Sequence, residues 1–361
     1  MTIPNAVREP EIKAGDLTII LTLKDRSEYT RRWLMYMNDL RCPYKILIGD
    51  GGTDLAIQAH LESPENYPYL DYDYYRFSPD HSFYDYYKKL TDLSSRVNTK
   101  YAVLADNDDF YKIASLDSHL KFLDAHRDYI GIRGSIARFW LRDKDNSVLN
   151  SPSGASYSAI SVASMSVEEN SFPERAETFL IGIEKLNQLM IWYCIFRTEA
   201  LRNTLAILNS HFPIDEFVYE VMFCLLMVQQ GKIRVEKEET YFRQHGSSTA
   251  LASLMASGTS TLERMFINEG FRSISDICKA NNAYATEEER IRLLRSFARM
   301  LANHCLAAHS PPSYLEQLKV ALNKYPGIYS RIYRLYEFSR THLGPRKFRR
   351  IPEIEKYILE R

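Results

Sequence analysis

The chain first reads as short apolar runs separated by amphipathic stretches. "LTIILTL" (17–23), "YKILIGD" (44–50) and "KYAVLAD" (100–106) are β-rich runs of strand length, and "LDYDYYRF" (70–77) alternates as a half-buried strand does. Between them, "SEYTRRWLMYMNDL" sets Trp33, Leu34, Met37 and Leu40 at helical spacing, with Ser27 as the expected N-cap, and "DYYKKLTDLSSRV" predicts a second helix. Strands alternating with helices predict an α/β fold whose mostly parallel sheet is covered on both faces. Ligands bind such sheets beyond the carboxyl ends of the strands, and "GDGGTD" and "DNDDF" both fall there.

Further along, residues 143–175 are rich in Ser, Asn, Gly and Pro and predict a mobile loop or irregular insertion. "QLMIWYCIFRTEAL" predicts a strand running into a helix, and "DEFVYEVMFCLLMVQQGK" a largely buried helix stopped by Gly231. The β signal fades after about Leu262. The expected organisation is an N-terminal extension (1–16), an α/β domain (17–261) and a helical C-terminal region (262–361) with a moderate excess of Lys and Arg.

Composition narrows the class. The 46 basic and 46 acidic residues cancel, so overall charge names no partner and nothing points to nucleic acid. Five scattered cysteines without a CxxC argue against disulfides and zinc and for a reducing compartment. The N-terminus has charge and proline where a secretion signal has an apolar run, and no apolar run reaches membrane-spanning length. The expectation is a soluble cytoplasmic protein.

The chemistry concentrates in "YAVLADNDDF", where Asp106, Asp108 and Asp109 follow a buried strand. Clustered carboxylates raise one another's pKa unless a positive charge sits between them. Carboxylates at i and i+2 can hold one divalent cation, Mg²⁺ or Mn²⁺, and leave positions open for phosphate oxygens. An EF-hand is excluded because Tyr111 and Asp117 stand where its Gly and Glu belong, and a phosphatase DxDxT because Phe110 stands where it needs Thr. What stays open is a nucleotide-sugar DxD or a solvated turn capping the next helix.

"LTIILTLKDR", "ILIGDGGTD" and "KYAVLADNDDF" follow in an order that resembles the family-2-like glycosyltransferases of GT-A fold, whose opening strands read like "IPTYNR", "VVDDGSTD" and "YVLFLDADD". In particular the chain is similar to the glycosyltransferases of bacterial surface-polysaccharide gene clusters, over about residues 17–250. The resemblance implies a GT-A fold and transfer of a sugar from a nucleotide-diphosphate donor, with UDP expected, to a glycan or lipid-linked acceptor. It implies Asp106 at the ribose or the metal, Asp108 as the main metal ligand, and Asp109 orienting its neighbours or the acceptor. Asp25 and Arg26 would line the nucleotide pocket with Asp50. Gly49 departs from the family, which has an Asp there, and Asp54 would stabilise the turn. Lys88 or Lys89 would face the diphosphate, the other lying on a solvated helix face.

The second half of the site is expected from "YFRQHGSST", which resembles the family's "YRQHGSN". His245 would add a nitrogen ligand to the metal or bond the phosphates, Arg243 would face the phosphates, and Gly246, Ser247 and Ser248 would form a loop over the diphosphate. An inverting transfer needs a carboxylate to take the acceptor's hydroxyl proton. In the family that residue stands eleven positions before a helix-ending glycine, and counting back from Gly231 gives Glu220, with Asp215 and Glu216 in reserve. The same three acids also suit the dipole of a helix N-terminus. Two other classes stay in view. A sugar nucleotidyltransferase wants a phosphate loop that "LTLKDRSEYT" does not supply, and a non-catalytic carbohydrate-binding or scaffold protein would have shed the acids. "GPRKFRR" (344–350) and the apolar stripes of the tail raise a peripheral membrane contact or a homo-oligomer.

Overall fold

In the computed structural model of the chain, described for residues 16–162, 164–186, 188–210, 216–245 and 350–359 and a few positions between 286 and 296, the first half alternates strand and helix. The strands are β1 (Leu17–Leu23), β2 (Lys45–Asp50), β3 (Tyr72–Arg76) and β4 (Tyr101–Ala105). The helices between them are α1 (Ser27–Asp39), the short α2 (Ala56–Leu61) and α3 (Phe83–Ser95). β1 and β4 are buried on both faces, so their sequences are apolar almost without interruption. α1 is amphipathic and buries Tyr29, Trp33, Leu34, Tyr36 and Met37. Its N-cap is Arg26 in a left-handed conformation, without a side-chain cap, rather than Ser27. α3 has the expected kind of cap, a box in which Ser82 and Asp85 satisfy each other's backbone N–H.

The remaining strands are β5 (Phe110–Tyr111), β6 (Tyr129–Arg142), β7 (Ser156–Val162), β8 (Ile195–Arg197) and β9 (Lys232–Gln244), with helices α4 (Leu116–Ala125), α5 (Phe172–Leu186), α6 (Thr198–Ser210) and α7 (Glu216–Gln230). The sheet runs β3-β2-β1-β4-β8-β6-β9-β5, with β7 against β6. β3, β2, β1 and β4 are mutually parallel, as are β6 and β9, while β8, β7 and β5 join antiparallel. The fold is therefore α/β, with a curled, mostly parallel sheet flanked by helices. Register shifts in the β6–β9 ladder at Gly131 and Gly134 accompany the curl. At Gly134 a Cβ would come within 2.2 Å of the Glu238 carbonyl oxygen, so the bulge admits only glycine.

Within the segment 143–175, expected as a mobile loop or irregular insertion, β7 is formed and α5 begins at Phe172. Its "SYSAISV" alternates as an edge strand does, but serine-rich composition masks the signal.

Of the expected helical tail, the described part is mainly residues 350–359. α8 (Pro352–Ile358) docks beside α1, with Ile351, Ile354 and Ile358 buried. Tyr357 packs edge-on to Tyr36, Lys356 pairs with Asp39 at 2.8 Å, and the Tyr157 hydroxyl donates to Glu355 at 2.6 Å. Arg350, the last residue of the basic segment, pairs with Glu355 at 2.7 Å. The rest of that segment, and the stripes that raised membrane contact and oligomerisation, lie outside the described residues apart from scattered positions. Among the described residues no helix is long and apolar enough to cross a membrane.

Candidate active site

The carboxyl ends of β1, β2 and β4 lie side by side, so the turns that follow them meet. After β1 the chain turns through Asp25 and Arg26, both left-handed with φ of 56° and 58°. Such a conformation costs a non-glycine residue on the order of 1–3 kcal/mol and marks a constrained turn. It aims the Asp25 carboxylate at the next turn, where Oδ1 accepts from the Thr53 N–H at 2.6 Å and the Asp54 N–H at 2.9 Å. Burial works against the Asp25 charge, but these bonds outweigh it and hold the carboxyl below its usual range. Asp54 Oδ1 accepts from the Ala56 N–H at 2.8 Å where α2 begins.

Asp50 is buried at the end of β2. Its oxygens accept from the Gly52 N–H at 2.8 Å, the Tyr74 hydroxyl at 2.8 Å and Arg76 at 2.6 Å. Gly51 and Gly52 are required by close approach, since a Cβ would fall 2.3 Å from the Asp80 carboxylate at the first and 2.5 Å from the Asp25 backbone nitrogen at the second. Lys89 is buried, donates to the Leu23 carbonyl oxygen at 2.8 Å and pairs with Asp80. It braces these turns from within, whereas Lys88 is exposed on α3, and among the described residues no hydrogen bond or ion pair ties it to the acidic cluster.

β4 ends at Ala105 and delivers the three aspartates. Asp106, Asp108 and Asp109 each offer an oxygen within 4.8 Å of the others. The Tyr193 hydroxyl donates to Asp106 Oδ2 at 2.7 Å, and Arg26 Nη1 reaches Asp108 Oδ2 at 3.2 Å. Asp109 is fully engaged. Oδ2 accepts from the Tyr241 hydroxyl at 2.6 Å, Oδ1 accepts from the Gln244 N–H at 2.8 Å, and Arg243 Nε lies 4.0 Å away. Burial raises the pKa of Asp106 and Asp109, the Asp108 charge adds to it, and Arg243 opposes it. Arg32 is buried beneath the cluster. Desolvation draws it down to about 10, with the Asp108 charge opposing.

Glu220, on the first turns of α7, is half-buried. Burial pushes its carboxyl up to about 7; Arg243 pulls it down and Asp106 pushes it further up, so it shares its surroundings with both. The neighbouring Tyr219 stacks on Tyr87 with ring centroids 3.4 Å apart, which fixes the helix at this end. Asp215 lies outside the described residues, and Glu216 is described only as the first residue of α7.

His245 stands outside the three-carboxylate cluster, with its ring 5.3 Å from Trp140 and its backbone N–H donated to the Phe139 carbonyl oxygen at 2.8 Å. Burial and the charges of Arg138 and Arg243 lower its pKa. A β-strand turns alternate residues to opposite faces, so the side chain that follows Gln244 is carried with Arg243 toward Trp140. Gly246, Ser247 and Ser248 lie outside the described residues.

Sequence reasoning missed Arg32, Tyr193, Tyr241 and Gln244. Arg32 sits on the apolar face of α1, and a charged residue there was the one available signal. The tyrosines hide inside apolar runs, and Gln244 contributes a backbone N–H that no side-chain motif marks.

A curled α/β sheet that ends in a carboxylate cluster beside two tight turns defines the class of fold. Solved structures of similar fold include S. aureus TarS 1–349, at 14% identity over 85% of this chain and 78% of that one, with a TM-score of 0.50. The same fragment in complex with UDP-GlcNAc matches at 13% identity over 86% of this chain and 80% of that one, with a TM-score of 0.51. The likeness is one of fold. No protein-family model and no curated protein matches the chain.

Proposed function

We propose that the protein is a GT-A-type glycosyltransferase that moves a sugar from a nucleotide-diphosphate donor, UDP by preference, to a glycan or lipid-linked saccharide. The observation that carries this is the cluster of Asp106, Asp108 and Asp109 at the end of β4, with the Asp25 and Asp50 turns beside it and Glu220 within the field of Asp106 and Arg243. A structure of the same fold in complex with UDP-GlcNAc supports the donor class. The cluster also disfavours a carbohydrate-binding scaffold, because burying Asp106 and Asp109 beside the Asp108 charge costs stability without serving a surface that only binds neutral sugar.

The residues fit a divalent cation held through oxygen. Asp106 and Asp108 would hold it, while Asp109, engaged by Tyr241 and the Gln244 N–H, fixes the cluster's shape. The oxygen set suits Mg²⁺ or Mn²⁺. When bound, such a cation neutralises charge on the departing diphosphate. The turns at Asp25 and Asp50 position the nucleoside, and Arg26 and Arg243 add fixed positive charge. Glu220 takes the proton from the acceptor hydroxyl as its oxygen bonds the anomeric carbon, and the bond from that carbon to the diphosphate breaks with its electron pair leaving on the nucleotide. Attack opposite the leaving group inverts the anomeric carbon. Cys42, Cys194 and Cys224, buried and free, fit work in the cytoplasm, and the basic segment 344–350 fits contact with an anionic membrane where lipid-linked acceptors reside.

The test is a screen of nucleotide-sugars for hydrolysis and thermal stabilisation, with Mn²⁺ and with EDTA. A UDP-sugar that stabilises and is hydrolysed only with the metal is the expected result. A panel with no response in either condition would remove the reading.

A further inference from the structure

β6 and β9 run parallel in a register that sets Arg138 directly beside Arg243. Like charges facing each other across a ladder destabilise a sheet, so the pair needs a reason. Arg243 has one in Asp109, 4.0 Å away, and its guanidinium lies 5.3 Å from the Tyr193 ring centroid. Arg138 feels the Asp109 charge only at longer range. Among the described residues no carboxylate lies within ion-pair distance of it, and its Nε is buried without a hydrogen-bond partner. Two positions on, the same face of β6 carries Trp140, whose ring meets His245 at 5.3 Å. The face is thus a cationic pair with an aromatic wall next to it.

The sheet order says which substrate this face meets. β4, which delivers Asp106, separates β1 and β2, with their Asp25 and Asp50 turns, from β6 and β9. For a donor whose nucleoside sits over β1 and β2, Arg26 at Asp108 already supplies a guanidinium on that side of β4, whereas Arg138 stands on β6 across β4, beside Trp140. A group reaching Arg138 therefore comes from the acceptor side.

We infer that Arg138, with Arg243, Trp140 and His245, forms an acceptor subsite for a saccharide that carries an anionic group, phosphate or carboxylate. The anion sits against the two guanidiniums and relieves their repulsion, and Trp140 packs on the sugar ring. This rests on the glycosyltransferase reading above.

The experiment is titration of the full chain, saturated with UDP and Mn²⁺, with glucose, glucose 6-phosphate, glucuronate and inorganic phosphate. Glucose 6-phosphate or glucuronate should bind at least about 10-fold tighter than glucose, and which of the two binds better identifies the anion. Inorganic phosphate binding as well as the phosphosugar would overturn the saccharide part. Arg138→Gln should abolish the preference, Arg138→Lys should keep part of it, and UDP affinity should change less than about 2-fold in both. Ile160→Glu leaves Arg138 in place but sets a carboxylate beside it in the β6–β7 register, and should also abolish the preference. Wild-type protein that binds UDP with Mn²⁺ but shows no anionic preference would overturn the inference and leave the function standing. Loss of UDP affinity in Arg138→Gln as large as the loss for the phosphosugar would also overturn it, by assigning the pair to the donor. Failure of UDP itself to bind would count against the function.

Discussion

Arg32 and Asp108 are joined through the backbone: Arg32 Nη2 donates to the Asp108 carbonyl oxygen at 2.8 Å, leaving the Asp108 carboxylate to Arg26 at 3.2 Å. The same guanidinium donates through Nη1 to Gln244 Oε1 at 2.8 Å and the Pro152 carbonyl oxygen at 2.6 Å. One buried side chain thus ties the turn after β4, the end of β9 and the chain before β7. It holds the angle of the aspartate loop from beneath.

Arg32→Met keeps the volume and removes those donors, leaving buried acceptors unpaired. It should destabilise the protein by about 3–5 kcal/mol, read from urea unfolding. A loss below about 1 kcal/mol would mean that water replaces the guanidinium and that the loop does not depend on it.

Tyr193 orients Asp106 by donating its hydroxyl at 2.7 Å, and its ring stacks on Tyr241 with centroids 4.4 Å apart. Tyr193→Phe preserves the stack and deletes the donor. Outer partners of metal ligands typically contribute 10–100-fold in metal affinity, so Mn²⁺ should bind the UDP complex about that much more weakly. Unchanged Mn²⁺ affinity would show that Asp106 needs no orienting partner.

These two residues also mark the limit of what the sequence shows. β1, β2, β4 and the helices between them are legible because burial on both faces, or on one stripe, writes itself into local spacing. The aspartate cluster and the Asp25 and Asp50 turns are legible because they stand at strand ends. Arg32, Tyr193, Tyr241 and Gln244 are not, because each meets its partner across 76 or more positions. The left-handed Arg26 displaced Ser27 from the cap for a reason a propensity cannot contain, namely the reach of its side chain to Asp108. The pairing of the mixed half of the sheet escaped too, although the strand before α6 is legible in "QLMIWYCIFRTEAL". β5 is two residues long and β8 three, and their pairing is decided by distant strands.

Glu220 gives a prediction with two signs. Its folded pKa, about 7, lies above the ordinary value of 4.5, so between these pH values the folded protein keeps a proton that the unfolded chain releases. Stability in metal-free protein should therefore fall as pH rises from about 4.5 to 7, by an amount on the order of 1–3 kcal/mol, and Glu220→Gln should flatten that slope. Transfer runs the other way. It needs the carboxylate, so the rate should climb through the same upper range, and Glu220→Gln should lose about 10²–10⁴-fold in transfer while UDP affinity holds. Normal transfer by Glu220→Gln would move the base to Asp215 or Glu216.

α8 predicts that the C-terminus acts as a clip. Deleting residues 350–361 exposes the cavity left by Ile351, Ile354 and Ile358, each about 1.5–3 kcal/mol of burial, and should lower stability by at least about 3 kcal/mol in urea unfolding. A fully stable truncated chain would show the docking to be incidental. Membrane binding by the basic segment is for the same reason better tested by replacing Arg346, Lys347 and Arg349 with Gln than by truncation.

The central claim is that Asp106 and Asp108 bind a divalent ion together with a nucleotide diphosphate. Calorimetric titration of the full chain with UDP, once with Mn²⁺ and once with EDTA, tests it most directly. The account predicts binding at least about 10-fold tighter with Mn²⁺, a difference that Asp108→Ala removes while its near-ultraviolet circular dichroism stays that of the folded protein. Equal UDP affinity with Mn²⁺ and with EDTA in the wild-type protein would contradict it.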